Sequence, residues 1–156
     1  MQKECIKSLP ENKILLDSNT YFRLADNLYP LLSRKFGKNP VYKLCILSGT
    51  LGEYYYQKKL QSKFDWVENQ KHIDDRKHNK LLLPEKVKES LKENINFLLS
   101  DSNSRGLGCS RFDIECLATA LELSILLVTD DMDLYNFSSD YEVKCISTLQ
   151  LLKLML

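Results

Sequence analysis

Three short apolar runs without alternation constrain this chain most: Ile14-Leu15-Leu16, Val41 to Leu47 (VYKLCIL) and Ser124 to Thr129 (SILLVT). They are too short for buried helices and offer no polar face. Runs of that kind are strands buried on both sides, as in a parallel sheet covered by helices. The segments between them carry helical signals. Pro84 opens one such segment, which Val87, Leu91, Ile95 and Leu98 stripe at helical spacing. Ser110 or Arg111 starts another through Glu122, with the small residues Ala118, Thr119 and Ala120 for close packing on a sheet.

The remaining elements follow from turn and cap chemistry. Asp17-Ser18-Asn19 stops the first strand and suits the start of a helix over Thr20–Ala25. Leu28–Phe36 reads as a second helix closed by Gly37, and Leu51–Phe64 as a helix with Glu53 in its first turn. Residues 65–83 read as helix with an irregular connection around His78-Asn79, and Ser100–Cys109 as a loop. Leu134–Phe137 is a short helical turn, Tyr141–Ile146 a fourth strand and Thr148–Leu156 a closing helix. The expected fold is α/β: a three-layer α/β/α sandwich around a central, mainly parallel sheet of four to five strands. Residues 1–12 read as a polar leader. Residues 13–156 form one domain, with 57–100 as a charged helical insertion.

A chain of 156 residues fits one domain and should bury roughly 70% of its extended surface without a staple. A net charge of +1 excludes a strongly basic nucleic-acid coat. The five cysteines are odd in number and none forms a Cys-x-x-Cys pair, which argues against a disulfide framework or structural zinc. Cys45, Cys116 and Cys145 sit in apolar runs and read as core, implying a reducing, cytoplasmic setting. The polar N-terminal residues do not resemble a signal peptide, and no apolar run has the length of a membrane span.

Four acids share one kind of position. Asp17 ends the first strand, Glu53 opens the helix after the second, Asp113 opens the helix before the third, and Asp131 follows the third. In an open parallel sheet, ligands gather outside the carboxyl ends of the strands. Carboxylates brought together there repel unless a cation lies between them. A hard, oxygen-preferring ion, Mg²⁺ or Mn²⁺, is the natural occupant, and it suits in-line attack on phosphorus. Each acid also has a purely local reading as a helix cap or first-turn residue.

Three segments resemble the PIN domain family: Ile14-Leu15-Leu16-Asp17-Ser18-Asn19, the helix Asp113-Ile114-Glu115-Cys116-Leu117-Ala118-Thr119-Ala120-Leu121, and Leu127-Val128-Thr129-Asp130-Asp131-Met132-Asp133-Leu134. Ile46 to Glu53 is similar to the segment that carries the family's Glu. The resemblance implies a metal-dependent nuclease of single-stranded RNA. Asp17, Glu53, Asp113 and Asp131 would be its metal-binding acids and Asp133 a fifth. Thr129, Ser18 and Asn19 would support the site. A toxin-like role with an antitoxin partner, and pairing into a homodimer, belong to the same implication. Asp130 points away in this reading, and Glu115 faces another direction from Asp113.

Between Lys58 and Lys80, seven Lys or Arg residues face four acids. Lys58, Lys59, Lys63, Lys71, Arg76 and Lys77, with Arg111, are therefore candidate phosphate contacts; a solvated helix face is the alternative. Trp66 and Tyr54-Tyr55-Tyr56 offer rings either for base stacking or for packing on the sheet. Nothing marks His72 or His78 as catalytic. Two rival readings remain. A catalytically silent PIN-like module, binding nucleic acid or protein, would carry the repulsion of four acids without use for them. A receiver-like signalling domain would need a lysine near the C-terminal end of a late strand, where Lys144 fits poorly.

Overall fold

The computed structural model describes residues 12–156. The leader read over residues 1–12 lies outside these except for Asn12, which is the first strand residue and pairs with Tyr42; Cys5 lies outside them as well. Five strands make one sheet: β1 (Asn12–Leu16), β2 (Lys35–Phe36), β3 (Tyr42–Cys45), β4 (Leu126–Val128) and β5 (Cys145–Ile146), in the order β2-β3-β1-β4-β5. Only the edge pair β2–β3 is antiparallel. β1 is central, with Ile14 opposite Leu44 on one side and Leu126 on the other.

β1 shows why the runs do not alternate. Ile14, Leu15 and Leu16 are all 0% exposed, and they point to opposite faces. Ile14 and Leu16 join one apolar cluster with Tyr21, Phe22, Trp66, Val67 and Leu151. Leu15 joins the other, with Leu91, Leu98, Ile114, Leu117, Leu134 and Phe137. Each such side chain contributes roughly 1.5–3 kcal/mol by leaving water, so both faces must be covered.

One covering layer holds α1 (Ser18–Leu24), α2 (Gly52–Tyr56), α3 (Lys58–Lys63), α4 (Gln70–His78) and α8 (Thr148–Met155). The other holds α5 (Glu85–Ser104), α6 (Arg111–Leu123) and α7 (Met132–Asp140). Two 3-10 turns, Ser48–Leu51 and Asp65–Glu68, complete the elements. The stripe expected on α5 is present, with Leu91 and Leu98 buried and Val87 and Ile95 packed beside them. On α6 the small residues Ala118, Thr119 and Ala120 are buried. Among the described residues no helix is long and apolar enough to cross a membrane.

Several boundaries differ from expectation. Leu28–Phe36 is not a helix; it runs through turns into β2. Pro30 lacks an amide donor there, and the buried Leu32 amide donates to Asp75 on α4 (3.0 Å) instead of to a helical carbonyl. Leu51–Phe64 breaks into a 3-10 turn, α2 and α3, because Gln57 is extended (φ −122, ψ 110). Expected as a loop from Ser100, the chain instead stays helical to Ser104, held where Arg105 reaches back to Asp101 (3.0 Å) and the Tyr141 hydroxyl donates to that same carboxylate. The short turn at Leu134–Phe137 is a full helix, α7, capped by Asp131 and buried at Leu134 and Phe137. The fourth strand shrinks to Cys145–Ile146, since Tyr141 caps α7 and Glu142 adopts φ 61.

Asp75 is 7% exposed and ties the 28–36 segment to α4, accepting from Leu32 N, Ser33 Oγ and Asn79 Nδ2. Removing it leaves a buried amide without a partner. Asp75→Ala should cost about 1–3 kcal/mol in urea unfolding and Asp75→Asn clearly less, because the amide oxygen still accepts. Equal losses in the two variants would contradict this anchoring role.

Candidate functional site

The parallel register of β1 on β4 extends one residue past the strands. Asp17 N donates to Val128 O (3.1 Å), which places Asp17 at the carboxyl edge of the sheet. Asp17 then caps α1: it is 5% exposed, and its Oδ1 accepts from Thr20 N (2.9 Å). On the neighbouring strand Thr129, 1% exposed, accepts from Asp131 N through Oγ1 (3.1 Å). Asp131 caps α7 in turn, accepting from Leu134 N (3.1 Å). Asp113 enters from α6, whose capping box pairs Asp113 N with Ser110 Oγ (3.1 Å) and Ser110 N with Asp113 Oδ2 (3.0 Å).

Three helix starts thus bring Asp17, Asp113 and Asp131 to one edge. Their charges are felt across the gap. Burial pushes the Asp113 carboxyl above its ordinary range, its two Ser110 hydrogen bonds oppose that, and the charges of Asp131 and Asp17 add to it. Burial likewise lifts the Cys109 thiol to about 11, with Asp113, Asp131 and Asp133 adding to the rise.

The other expected site residues spread around this edge. Glu53 is exposed on α2 and borders, with Asp113 and Ser18, a cavity of about 430 Å³. Ser18 donates through Oγ to Thr50 O (3.2 Å), and Asn19 is exposed on α1. Asp133 turns to the preceding loop, accepting from Gly108 N (3.1 Å). Asp130 does point away: it accepts from Arg23 (2.9 Å) and from Thr148 N (2.9 Å), tying the last turn of α1 to the start of α8. Glu115 pairs with Arg111, away from the Asp113 capping box, and also borders the cavity.

The basic residues do not form a single row. Lys58 and Lys59 are exposed at the start of α3, directly after the cavity residue Gln57. Lys63 lies over Phe64 (5.3 Å) and Lys71 over Tyr29 (4.8 Å). Arg76 is half-buried and donates to Tyr21 Oη (3.1 Å) and Val67 O (2.8 Å); Lys77 is exposed. Arg111 lines the cavity and pairs with Glu115 (3.4 Å). Among the aromatics, Trp66 and Tyr54 are core, whereas Tyr56 is 91% exposed at the cavity. His72 is buried against Trp66 and Tyr29 and meets Asp26 (3.2 Å), a packing role.

The donor set suits a hard divalent ion, being carboxylate oxygen throughout. Among the described residues no three acidic, His or Cys side chains are spaced as a ready-made metal cage. Mg²⁺ takes one or two carboxylates and retains water, so a site of this donor type does not require a three-ligand cage. Asp17, Asp113 and Asp131 each commit one oxygen to a helix-start amide, and a carboxylate has a second.

Neither a family model nor a curated protein matches the sequence. Solved structures do match. FitAcB from Neisseria gonorrhoeae is 16% identical, with a TM-score of 0.55 over 87% of this chain and 98% of that one. PAE2754 from Pyrobaculum aerophilum is 18% identical, with 0.58 over 91% and 93%. VapBC-1 from nontypeable Haemophilus influenzae is 14% identical, with 0.55 over 88% and 98%. The fold is PIN-like. At these identities the likeness is one of architecture, and it spans nearly the whole of each neighbour.

Sequence reasoning missed Thr50, Phe112, Gly49 and Gly52 as cavity residues. Their positions beside Ser48, Glu53 and Asp113 were the only signal.

Because the folded state holds the Asp113 proton more tightly than the unfolded chain, this group's contribution to stability falls as pH rises from the ordinary carboxylate range through its raised folded value. In metal-free buffer Asp113→Asn should therefore gain in Tm relative to wild type from acidic to neutral pH. Added Mn²⁺ should raise the wild-type Tm more than the variant's. A Tm difference that is flat with pH, and equal metal responses, would show that Asp113 serves only as a cap.

Proposed function

We propose that the chain is a metal-dependent nuclease that hydrolyses phosphodiesters in single-stranded RNA. The carrying observation is the convergence of Asp17, Asp113 and Asp131 at the carboxyl edge of a PIN-like sheet, where burial raises the Asp113 carboxyl and the charges of the other two add to the rise. In this reading Asp17, Asp113 and Asp131 hold Mg²⁺ or Mn²⁺, with Glu53 and Asp133 at the rim. When bound, the ion supplies positive charge to the phosphate and acidifies a water. The protein's own part is positional. Thr129 fixes the backbone of Asp131, Ser18 fastens α1 to the Thr50 turn, and Asp130 links the last turn of α1 to the start of α8. Lys58, Lys59 and Arg111, the cations nearest the cavity in sequence or space, steady the RNA backbone.

An antitoxin that covers the acids is part of the same proposal. The sequence resemblance implies it, and the fold shared with FitAcB and VapBC-1 supports it. A cytoplasmic site of action follows from the same reading and from cysteines suited to a reducing setting.

End-labelled single-stranded RNA of mixed sequence, incubated with Mn²⁺ or Mg²⁺, tests this. Asp17→Asn and Asp131→Asn keep an oxygen for their caps, as Asn and Asp cap about equally, so the fold should persist by circular dichroism. Each should lower cleavage about 100-fold or more, the scale on which loss of one preorganised electrostatic contact is felt. Uncut RNA with wild type, together with a Tm indifferent to metal, would leave a binding module instead.

A further inference from the structure

The cavity beside Asp113 has features that the acids do not account for. Its volume of about 430 Å³ falls within the roughly 300–1,000 Å³ of small-ligand sites. Two rings frame it. Phe112 lies against bare backbone at Gly49, where a Cβ would stand 3.3 Å from a ring carbon. Tyr56, at the end of α2, is 91% exposed. Gly52 leaves a gap in the same lining: a Cβ there would meet nothing within 4 Å. The Thr50 side chain on the same wall is 2% exposed, and its hydroxyl has no hydrogen-bond partner among the described residues.

Charge indicates what kind of ligand fits. Glu53, Asp113 and Glu115 border the cavity against one cation, Arg111, which is already paired with Glu115. A phosphate would be repelled by such walls. A neutral planar ring would not, and an exocyclic amino group would give a carboxylate a donor to accept from, as acidic side chains accept from cytosine N4. Exposed aromatic rings beside a nucleic-acid path are the usual stacking platforms for unstacked bases.

We propose that this cavity is the subsite for one unstacked, amino-bearing base of single-stranded RNA, stacked by Tyr56 and Phe112 and read by Glu115. Its placement next to the cut phosphate rests on the nuclease reading; its binding of a base does not.

Binding of a short single-stranded RNA carrying one 2-aminopurine, measured in EDTA, tests the subsite without cleavage. Wild type should quench the probe by stacking. Tyr56→Ala should raise Kd about ten-fold, the scale of one lost stack, and reduce the quench. Gly52 has helical backbone angles (φ −54, ψ −53), so Gly52→Leu should fold, fill the gap and abolish quenching. If the leucine variant fails to fold, Tyr56→Ala carries the test, since its side chain is almost wholly in solvent. RNA with an abasic residue at the probe position should bind wild type and Tyr56→Ala alike. A preference for oligocytidine over oligouridine should disappear in Glu115→Ala. Equal quenching by wild type and Gly52→Leu, or abasic RNA bound as tightly as intact RNA, would overturn the subsite. Cleavage is scored separately with Mn²⁺. A protein that quenches but never cuts keeps the subsite and loses the nuclease reading. One that cuts while ignoring Gly52→Leu and the abasic residue keeps the nuclease reading alone.

Discussion

The hydrogen bond from Asp17 N to Val128 O sets the geometry on which the candidate site depends. It continues the ladder that aligns Leu16 with Val128 and fixes, in one register, where β1 and β4 each give way to a helix. β1 and β4 are neighbours in the sheet yet far apart in the chain, and the connections leaving them run to opposite sides. That is the switch point at which open α/β sheets leave a crevice for ligands. Slipping the pairing by one residue would turn Ile14, Leu15 and Leu16 onto the wrong faces. With all three fully buried, the core enforces the position of the acids.

Local and functional roles coincide in these acids. Asp17 and Asp131 are helix N-caps and Asp113 closes a capping box, so each is held rigid by amides at the positive end of a helix. That offsets part of the cost of burying and crowding like charges: at Asp113 burial raises the carboxyl, the Ser110 hydrogen bonds oppose the rise, and the charges of Asp131 and Asp17 add to it.

The sequence displayed the parts of the fold that depend on local chemistry. Apolar runs located β1, β3 and β4, and Ser110 with Asp113 marked the start of α6. What it concealed depends on contacts between distant residues. The 28–36 segment looks helical until Asp75, on another element, takes the Leu32 amide. The break at Gln57 and the extension of α5 to Ser104 likewise answer to neighbours in space. At the site, strand ends exposed the acids, but periodicity did not reveal that Glu115 borders the same cavity as Asp113. A two-residue offset on a helix separates side chains by direction, yet a cavity can be wide enough to meet both. Along the basic run the sequence hid the partners: Lys63 and Lys71 lie over rings and Arg76 turns inward.

The pairing of β1 with β4 also has a consequence in time. Asp17 is made early, but the strand that holds it in register comes more than a hundred residues later, and the Thr148 amide that fixes Asp130 later still. Contacts so distant in sequence form late and slowly. A ribosome-bound chain that has not yet reached β4 therefore carries its acids dispersed. The geometry of the carboxyl edge is thus a property of the nearly complete chain, not of its first half.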